Sequence, residues 1–453
     1  MTPEDIYLKC PPFLQQWIIN LQGLQIKKNR YSRRFHANLE AYRISDPGKP
    51  DPEQLRLFLS EAATTPFWSD RFRQYQVDIN RKDHLQEEIQ KLPLLNKKEV
   101  KDNQANIINH RVKPQILSHT SGTTGSGLIF PETPEMQNRQ WAVWWRYRSW
   151  HGLSLDQWMG WFGGRSIVAI RQKKPPFWRT VHPLKQVMFS SHHLNKDTVK
   201  YYLDEIINKE LTWLHGYPSQ LSLFAHLIKV NGLNSPPTLR TITVGGENLL
   251  RHQCLAIEEV FGIKPVQHYG LAEGTANISE HPDGRLIPDL DFALTEFVPV
   301  DPDQPEVCRI IGTNYHNLAF PLIRYDSGDL AQMDTTSPGV PVLRSIDGRQ
   351  EDYILLPNGV RLGRLDHIFK DITRVQESQI FQAGLKHVII RIVKRDDFEI
   401  PRDEEHILRE ARKRLGRDIR ITFEYPQRIP RSLSGKFRFV LSAISTEKIN
   451  STE

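Results

Sequence analysis

LTWLHGYPSQ LSLFAHLIKV NGLNSPPTLR TITVGGENLL RHQCLAIEEV FGIKPVQHYG, residues 211–270, alternates short apolar runs with helix-period stretches. Leu211–Leu214 reads as a short strand ending in His215-Gly216-Tyr217-Pro218-Ser219, and a helix over Gln220–Lys229 follows directly. Leu239–Val244 is a second apolar strand, closed by Gly245-Gly246-Glu247. A helix over 249–261 then leads to a third strand, Lys264–Tyr269. Strands alternating with helices at this spacing imply an α/β fold with a largely parallel sheet. In such sheets ligands sit beyond the carboxyl ends of the strands. Gly216, Gly245, Gly246 and Gly270 all fall at such ends, so a shared site is expected there.

Upstream lies His119-Thr120-Ser121-Gly122-Thr123-Thr124-Gly125-Ser126-Gly127, after a strand expected over Val112–Leu117. Glycines let backbone N–H groups close around an anion, and hydroxyls add uncharged donors. The Gly-Lys-Ser/Thr ending of the NTPase P-loop is missing. A solvated linker has the same composition, so the loop needs other residues to make it a phosphate cradle. Residues 1 to about 110 read as mostly helical, with a loop over Pro47–Pro52. The basic cluster Arg30–Arg34 reads as a solvated helix face. Trp141, Trp144 and Trp145 share a face at helical spacing, where core packing outweighs substrate stacking. Strands are expected at Ser166–Ile170 and Val187–Ser190, and a helix at Asp197–Asn208.

Near residue 346 the character changes. Tyr353–Leu362 reads strand–turn–strand around Asn358-Gly359, a strong hairpin signal. A helix over Leu365–Asp371, strands Gln379–Gln382 and Val388–Val393, a helix over Glu404–Leu415 and a strand Ile419–Glu424 complete a small α+β unit. The expected organisation is a large domain over 1–347 and a small C-terminal one over 348–453.

The 453 residues, 39% hydrophobic and 25% charged, suit an ordinary two-domain globular protein. A net charge of +7 without any Lys/Arg block favours a small anionic ligand over nucleic acid. Cys10, Cys254 and Cys308 are too few and too scattered for a disulfide framework or a zinc site. No secretory signal and no transmembrane run is read, so the cytoplasm is the expected compartment.

Four further segments carry chemistry. In Tyr269-Gly270-Leu271-Ala272-Glu273 a flat ring can stack on a base, and a carboxylate nearby can hold Mg²⁺. Arg324-Tyr325-Asp326-Ser327-Gly328-Asp329 offers a carboxylate on a glycine turn to a ribose diol, although an Asx turn uses the same residues. Gly348-Arg349-Gln350-Glu351-Asp352 sits at the compositional break. Pro430-Arg431-Ser432-Leu433-Ser434-Gly435-Lys436 sets one lysine on a Ser/Gly turn, where a compact cation suits a phosphoryl-type transition state.

In order and separation, SGTTG, GGE, YGxxE, RYxxGD, GRxxD and a late GK resemble the adenylate-forming superfamily of acyl-CoA ligases, adenylation domains and luciferases. The chain looks most like the phenylacetate–CoA ligase-like branch, especially members associated with capsular polysaccharide biosynthesis. Gly216-Tyr217-Pro218-Ser219 and Gly363-Arg364-Leu365-Asp366 add to that likeness. The resemblance implies that the large domain binds ATP and a carboxylic acid, and that a mobile small domain carries the catalytic lysine. Thr120, Ser121, Gly122, Thr123, Thr124 and Gly125 would hold the ATP phosphates. Gly245, Gly246, Glu247 and Gly270 would line the adenine pocket, with Tyr269 stacked on the base. Asp329 would bind the ribose, Glu273 would ligate Mg²⁺, Lys436 would be catalytic, and Arg349 and Glu351 would form the hinge. The implied reaction is acyl-adenylate formation with release of pyrophosphate, then acyl transfer to coenzyme A. Transfer to a sugar, amine or carrier is the alternative, as is a non-catalytic nucleotide-binding protein. Ser126, Gly127 and Ala272 depart from the usual motifs, and Asn277, Ile278 and Ser279 stand where some relatives carry zinc-binding cysteines.

Overall fold

The computed structural model describes residues 3–113, 115–119, 128–163, 167–169, 171–334, 340–349, 354–357, 361–362, 365–369, 374–416, 418–431 and 437–444. The first hundred residues are helical, as expected: α1 (Pro3–Lys9), α2 (Pro12–Arg30), α3 (Arg33–Ile44), α4 (Pro52–Ala62), α5 (Pro66–Gln74), α6 (Leu85–Gln90), α7 (Lys97–Asp102) and α8 (Gln104–Ile107). Strands β1 (Ile116–His119) and β2 (Ile129–Glu132) form an antiparallel pair by themselves. The strand expected from Val112 therefore starts four residues later. The strand that precedes the Ser/Thr/Gly stretch is thus not part of the large sheet.

Helix α9 (Pro134–Trp150) starts where Thr133 accepts the amide of Met136 at 3.1 Å, with Pro134 in its first turn. Then come β3 (Met159–Gly163), β4 (Trp178–Val181), β5 (Gln186–Ser190), α10 (Val199–Asn208), β6 (Trp213–Gly216), α11 (Pro218–Val230), β7 (Thr241–Gly245), α12 (Arg251–Phe261) and β8 (Val266–Gly270). β5, β3, β6, β7 and β8 lie side by side and parallel, the α/β core that the alternation implied. Large apolar side chains from both layers, among them Phe162, Phe189, Tyr202, Leu214, Phe224 and Ile242, fill the space between sheet and helices.

No strand is present over Ile167–Ala169, the described part of the expected strand at 166–170. That apolar run instead packs as irregular chain, with Ile167 and Val168 buried against Ile19, Val181 and Met188. The strand that enters the sheet is β3, whose two glycines weaken the sequence signal for a strand. A Cβ at Gly160 would stand 2.6 Å from the side chain of Leu214 on the neighbouring strand, so the glycine lets the strands and their side chains pack closely.

Beyond β8 the same sheet continues antiparallel through β9 (Asn277–Glu280), β10 (Leu286–Pro288), β11 (Ala293–Asp301), β12 (Gln304–Asn314), β13 (Tyr325–Met333) and β14 (Leu343–Arg349). The twelve strands run in the order β11-β12-β13-β14-β10-β9-β8-β7-β6-β3-β5-β4. Near its end β14 bulges: Ile346 faces Ala331 and Gly348 faces Leu330, leaving Asp347 as the extra residue.

The expected hairpin is present as β15 (Ile354–Leu355) against β16 (Arg361–Leu362). The helix expected at Leu365–Asp371 is a 3₁₀ turn over Leu365–Phe369, with Lys370 and Asp371 outside the described residues. β17 (Val375–Gly384), β18 (His387–Lys394), α13 (Arg402–Leu415), β19 (Arg420–Glu424) and β20 (Val440–Ser442) follow. Their sheet has the order β19-β18-β17-β20, separate from the large one. Alternating Val388, Ile390 and Ile392 face Ile407, Ala411 and Leu415 of α13, which gives this unit its own core. Gln382 ties the hairpin to the sheet, accepting from the amide of Leu355 at 2.9 Å and donating to its carbonyl at 2.7 Å. Among the described residues no helix is long and apolar enough to cross a membrane.

Candidate active site

Four parallel strands, β3, β6, β7 and β8, end in Gly163, Gly216, Gly245 and Gly270. Glycine is required at Gly216, where a Cβ would lie 2.2 Å from the carbonyl oxygen of Phe162. Gly246 has φ +78°, and a Cβ there would stand 2.9 Å from the ring of Tyr217. The carboxyl edge of the sheet is thus bare backbone that a ligand can approach closely.

Tyr269 and Asp329 come from β8 and β13, sixty residues apart, and meet directly. The Tyr269 hydroxyl donates to Asp329 Oδ2 at 2.7 Å. Burial, and then the Asp329 carboxylate, push this phenol well above its ordinary range, so it remains a donor. Asp329 is buried. Glu273, also buried, follows β8; its Oε1 accepts from the Tyr325 hydroxyl at 3.4 Å, and its backbone carbonyl from Asn314 Nδ2 at 3.0 Å. Sequence reading used Tyr325 only as part of a motif; its hydroxyl on Glu273 is a contact across 52 positions that no local pattern signals.

Glu247, after β7, faces the C-terminal unit. Its Oε1 accepts the backbone N–H of Phe437 at 2.6 Å, and its Oε2 accepts from the amide of Ser219 at 3.3 Å. Burial pushes this carboxyl up, and the Phe437 N–H opposes that. The residue expected in the adenine pocket therefore also joins the two units. In Glu247→Ala the Phe437 amide is expected to exchange with solvent deuterium at least about tenfold faster, because a charge-assisted bond is lost. An unchanged exchange rate at Phe437 would mean that the contact holds nothing in place.

Arg349 closes β14, and in the ladder its Cα faces that of Asp329. Thr120, Ser121, Gly122, Thr123, Thr124, Gly125, Glu351 and Lys436 lie outside the described residues. Of the neighbouring described residues, Arg431 pairs with Glu377 of the small sheet, and Phe437 with Glu247 of the large unit.

A cavity of about 870 Å³ runs from Tyr217, Gly245, Gly246 and Gly270 inward between α2, α9 and the sheet. Trp141, Trp144 and Trp145 line it together, while Trp145 is also part of a buried cluster with Phe35 and Met159. The tryptophan face is thus both core and cavity wall. Two wall histidines are neutral. Burial first, and then the Arg148 charge, push His215 and His268 down to about 3. His268 Nε2 and Trp144 Nε1 both lie 2.9 Å from Asn277 Oδ1. Asn277 in turn donates to Asp289, which pairs with buried Arg146 at 2.6 Å. Sequence reading passed over Arg148, although a cation three, four and seven residues from the tryptophans of one helix face was a signal.

Residues 357–443 match the family model for the CapK C-terminal domain. Over 452 residues the chain is 24% identical to protein CapK of Staphylococcus aureus, covering 97% of this chain and 99% of that one. Among solved structures, 2-hydroxyisobutyryl-CoA ligase in its postadenylation state with R3-HIB-AMP aligns with a TM-score of 0.64, at 16% identity, over 88% of this chain and 90% of that one. The anthranilate CoA ligase AuaEII in complex with anthranoyl-AMP aligns with a TM-score of 0.50, at 14% identity, over 71% of this chain and 65% of that one. The mixed α/β sheet with a small C-terminal sheet unit is therefore the fold of adenylate-forming CoA ligases, as the motifs implied.

Proposed function

We propose that this protein activates a carboxylic acid with ATP, forming an acyl-adenylate and pyrophosphate, and then transfers the acyl group to the thiol of coenzyme A. The observation that carries the reading is the convergence of Tyr269, Asp329, Glu273 and Glu247 on a glycine-lined strand edge that opens into a cavity of about 870 Å³. In this reading the acid lies in the cavity with its carboxylate toward Gly245 and Gly270, and ATP lies across the strand ends. Tyr269 presents a half-buried ring to the base, and Asp329 accepts from the ribose hydroxyls. The backbone of residues 120–125 and the Lys436 ammonium would take the phosphates.

A carboxylate oxygen attacks the α-phosphorus, a new P–O bond forms, and the bond to the bridging oxygen breaks as pyrophosphate leaves. Such a step needs positioning and charge neutralisation more than covalent help. A thiolate then attacks the acyl carbon and AMP departs. The lysine cannot stay in the site while an acceptor occupies the same space. We therefore read residues 348–453 as a unit that turns about Arg349 and Glu351 between the two steps. The CoA-ligase names of the two structural neighbours support coenzyme A as acceptor.

Glu273 fits a magnesium role. Mg²⁺ takes one or two carboxylates and fills its other positions with phosphate oxygens and water. When bound, the metal would neutralise charge on the phosphates. Glu273→Gln keeps the shape and loses the charge, so the apparent KM for Mg·ATP is expected to rise roughly tenfold. Identical Mg²⁺ titrations of both proteins would remove the metal role. The overall reading is tested by ATP–pyrophosphate exchange over a panel of carboxylic acids, with mass spectrometry of products with and without coenzyme A.

A further inference from the structure

The cavity holds a buried cation that has no carboxylate opposite it among the described residues. Arg148 is 8% exposed and lines the cavity. Its guanidinium lies over the rings of Trp145, Trp213 and Trp141, at 4.9, 5.3 and 5.8 Å. Stacking of this kind supports the flat faces of the group and leaves its in-plane N–H donors to be met. Among the described residues, none accepts a hydrogen bond or forms an ion pair with it. The charged and titratable groups that it senses are Tyr31, Tyr147 and a second cation, Arg30, together with the neutral imidazoles of His215 and His268. The cavity has one acidic lining residue among those described, Asp156, and Lys185 stands 3.6 Å from it.

A buried charge without a partner is costly, and truly unpaired ones are rare in native proteins. Arg146, two positions earlier on the same helix, shows the ordinary solution: two aspartates meet its guanidinium. Arg148 lacks that solution and opens into space large enough for a ligand. We propose that the acid activated by this protein carries a second oxyanion, such as a second carboxylate, and that Arg148 receives it at the inner end of the cavity. This rests on the ligase reading for where the first carboxylate lies. Arg148 sits over Trp213, the first residue of β6, and the strand's last residue, Gly216, is at the reactive edge. Three residues of strand span about 10 Å. The two anionic groups are thus separated by a chain or ring of several carbons, held between tryptophan faces.

The test uses matched pairs of free acids with the full-length protein. 4-Carboxyphenylacetate is compared with 4-methylphenylacetate, 4-sulfophenylacetate adds a second kind of oxyanion, and the diacids adipate to sebacate are compared with their monomethyl esters. Binding is measured by calorimetry without ATP, and activation separately by ATP–pyrophosphate exchange. In the wild-type protein the best dianion is expected to bind at least about tenfold more tightly than its monoanionic partner. In Arg148→Met that advantage is expected to vanish, and in Arg148→Lys to survive in part; circular dichroism checks that both variants fold. Equal binding within every wild-type pair, no binding by any dianion, or an undiminished preference in a folded Arg148→Met would each overturn the proposal. Tight, Arg148-dependent binding of a dianion with no exchange for any acid would support the oxyanion site and sink the ligase reading instead.

Discussion

Lys436→Ala is expected to lower ATP–pyrophosphate exchange by about 10²–10³-fold, equivalent to about 3–4 kcal/mol of transition-state stabilisation. The residue itself lies outside the described part of the chain, but the segment that bears it is held on both sides. Arg431, five positions before, is paired with Glu377 of the small sheet. Phe437, the next residue, gives its N–H to Glu247 on the large unit at 2.6 Å. In the proposed reaction the ammonium of Lys436 would meet the charge that develops on the phosphates. The melting temperature should stay close to that of the wild type, since both anchors use other atoms. Exchange at the wild-type rate would remove Lys436 from the chemistry.

The largest effect on stability is expected from Arg146→Met, about 3–5 kcal/mol in chemical unfolding followed by tryptophan fluorescence. Arg146 reaches Asp289 at 2.6 Å and Asp291 at 2.5 Å, and all three are buried. Burial alone would push the guanidinium down, and the two facing carboxylates more than offset it, so the cation persists. Methionine fills similar volume but leaves two carboxylates facing each other in a dry interior. Asp289 also accepts from Ser279 Oγ at 2.7 Å and from Asn277 Nδ2 at 2.5 Å, so loss of the cation disturbs the asparagine that orients Trp144 and His268. A loss below about 1 kcal/mol, typical of an exposed ion pair, would show that water reaches the triad.

The part of the fold written in local periodicity was legible. Strands β6, β7 and β8 and their helices follow from alternating apolar runs within one stretch of sixty residues. Tyr269, Asp329, Glu273 and Glu247 could be singled out as candidates because glycines mark the turns that carry them. The antiparallel strands from Asn277 to Arg349 were not read: β11 and β12 form a hairpin of nine and eleven residues, but polar residues interrupt their apolar runs and no Asn-Gly pair marks the turn. β3 was misplaced because burial, not propensity, makes a strand of a segment with two glycines. The contacts that complete the site, Tyr325 with Glu273 and Phe437 with Glu247, join residues 52 and 190 positions apart. Composition carries no trace of such pairs. Arg148 was readable as a cation on an apolar helix face; that no described carboxylate faces it depends on tertiary packing, which the sequence does not display.

The chain leaves the large sheet through the bulge at Asp347, and the last rung before the exit sets Arg349 against Asp329. In mechanical terms this is a peeling joint. Load applied to the C-terminal unit falls on one rung, about 5 Å wide, before it reaches the rest of the ladder. That rung holds the carboxylate proposed to grip the ribose. In the proposed reading a nucleotide seated on Asp329 would brace this joint, and a wrench at the joint would loosen the nucleotide, so that grip and swivel would share one pin.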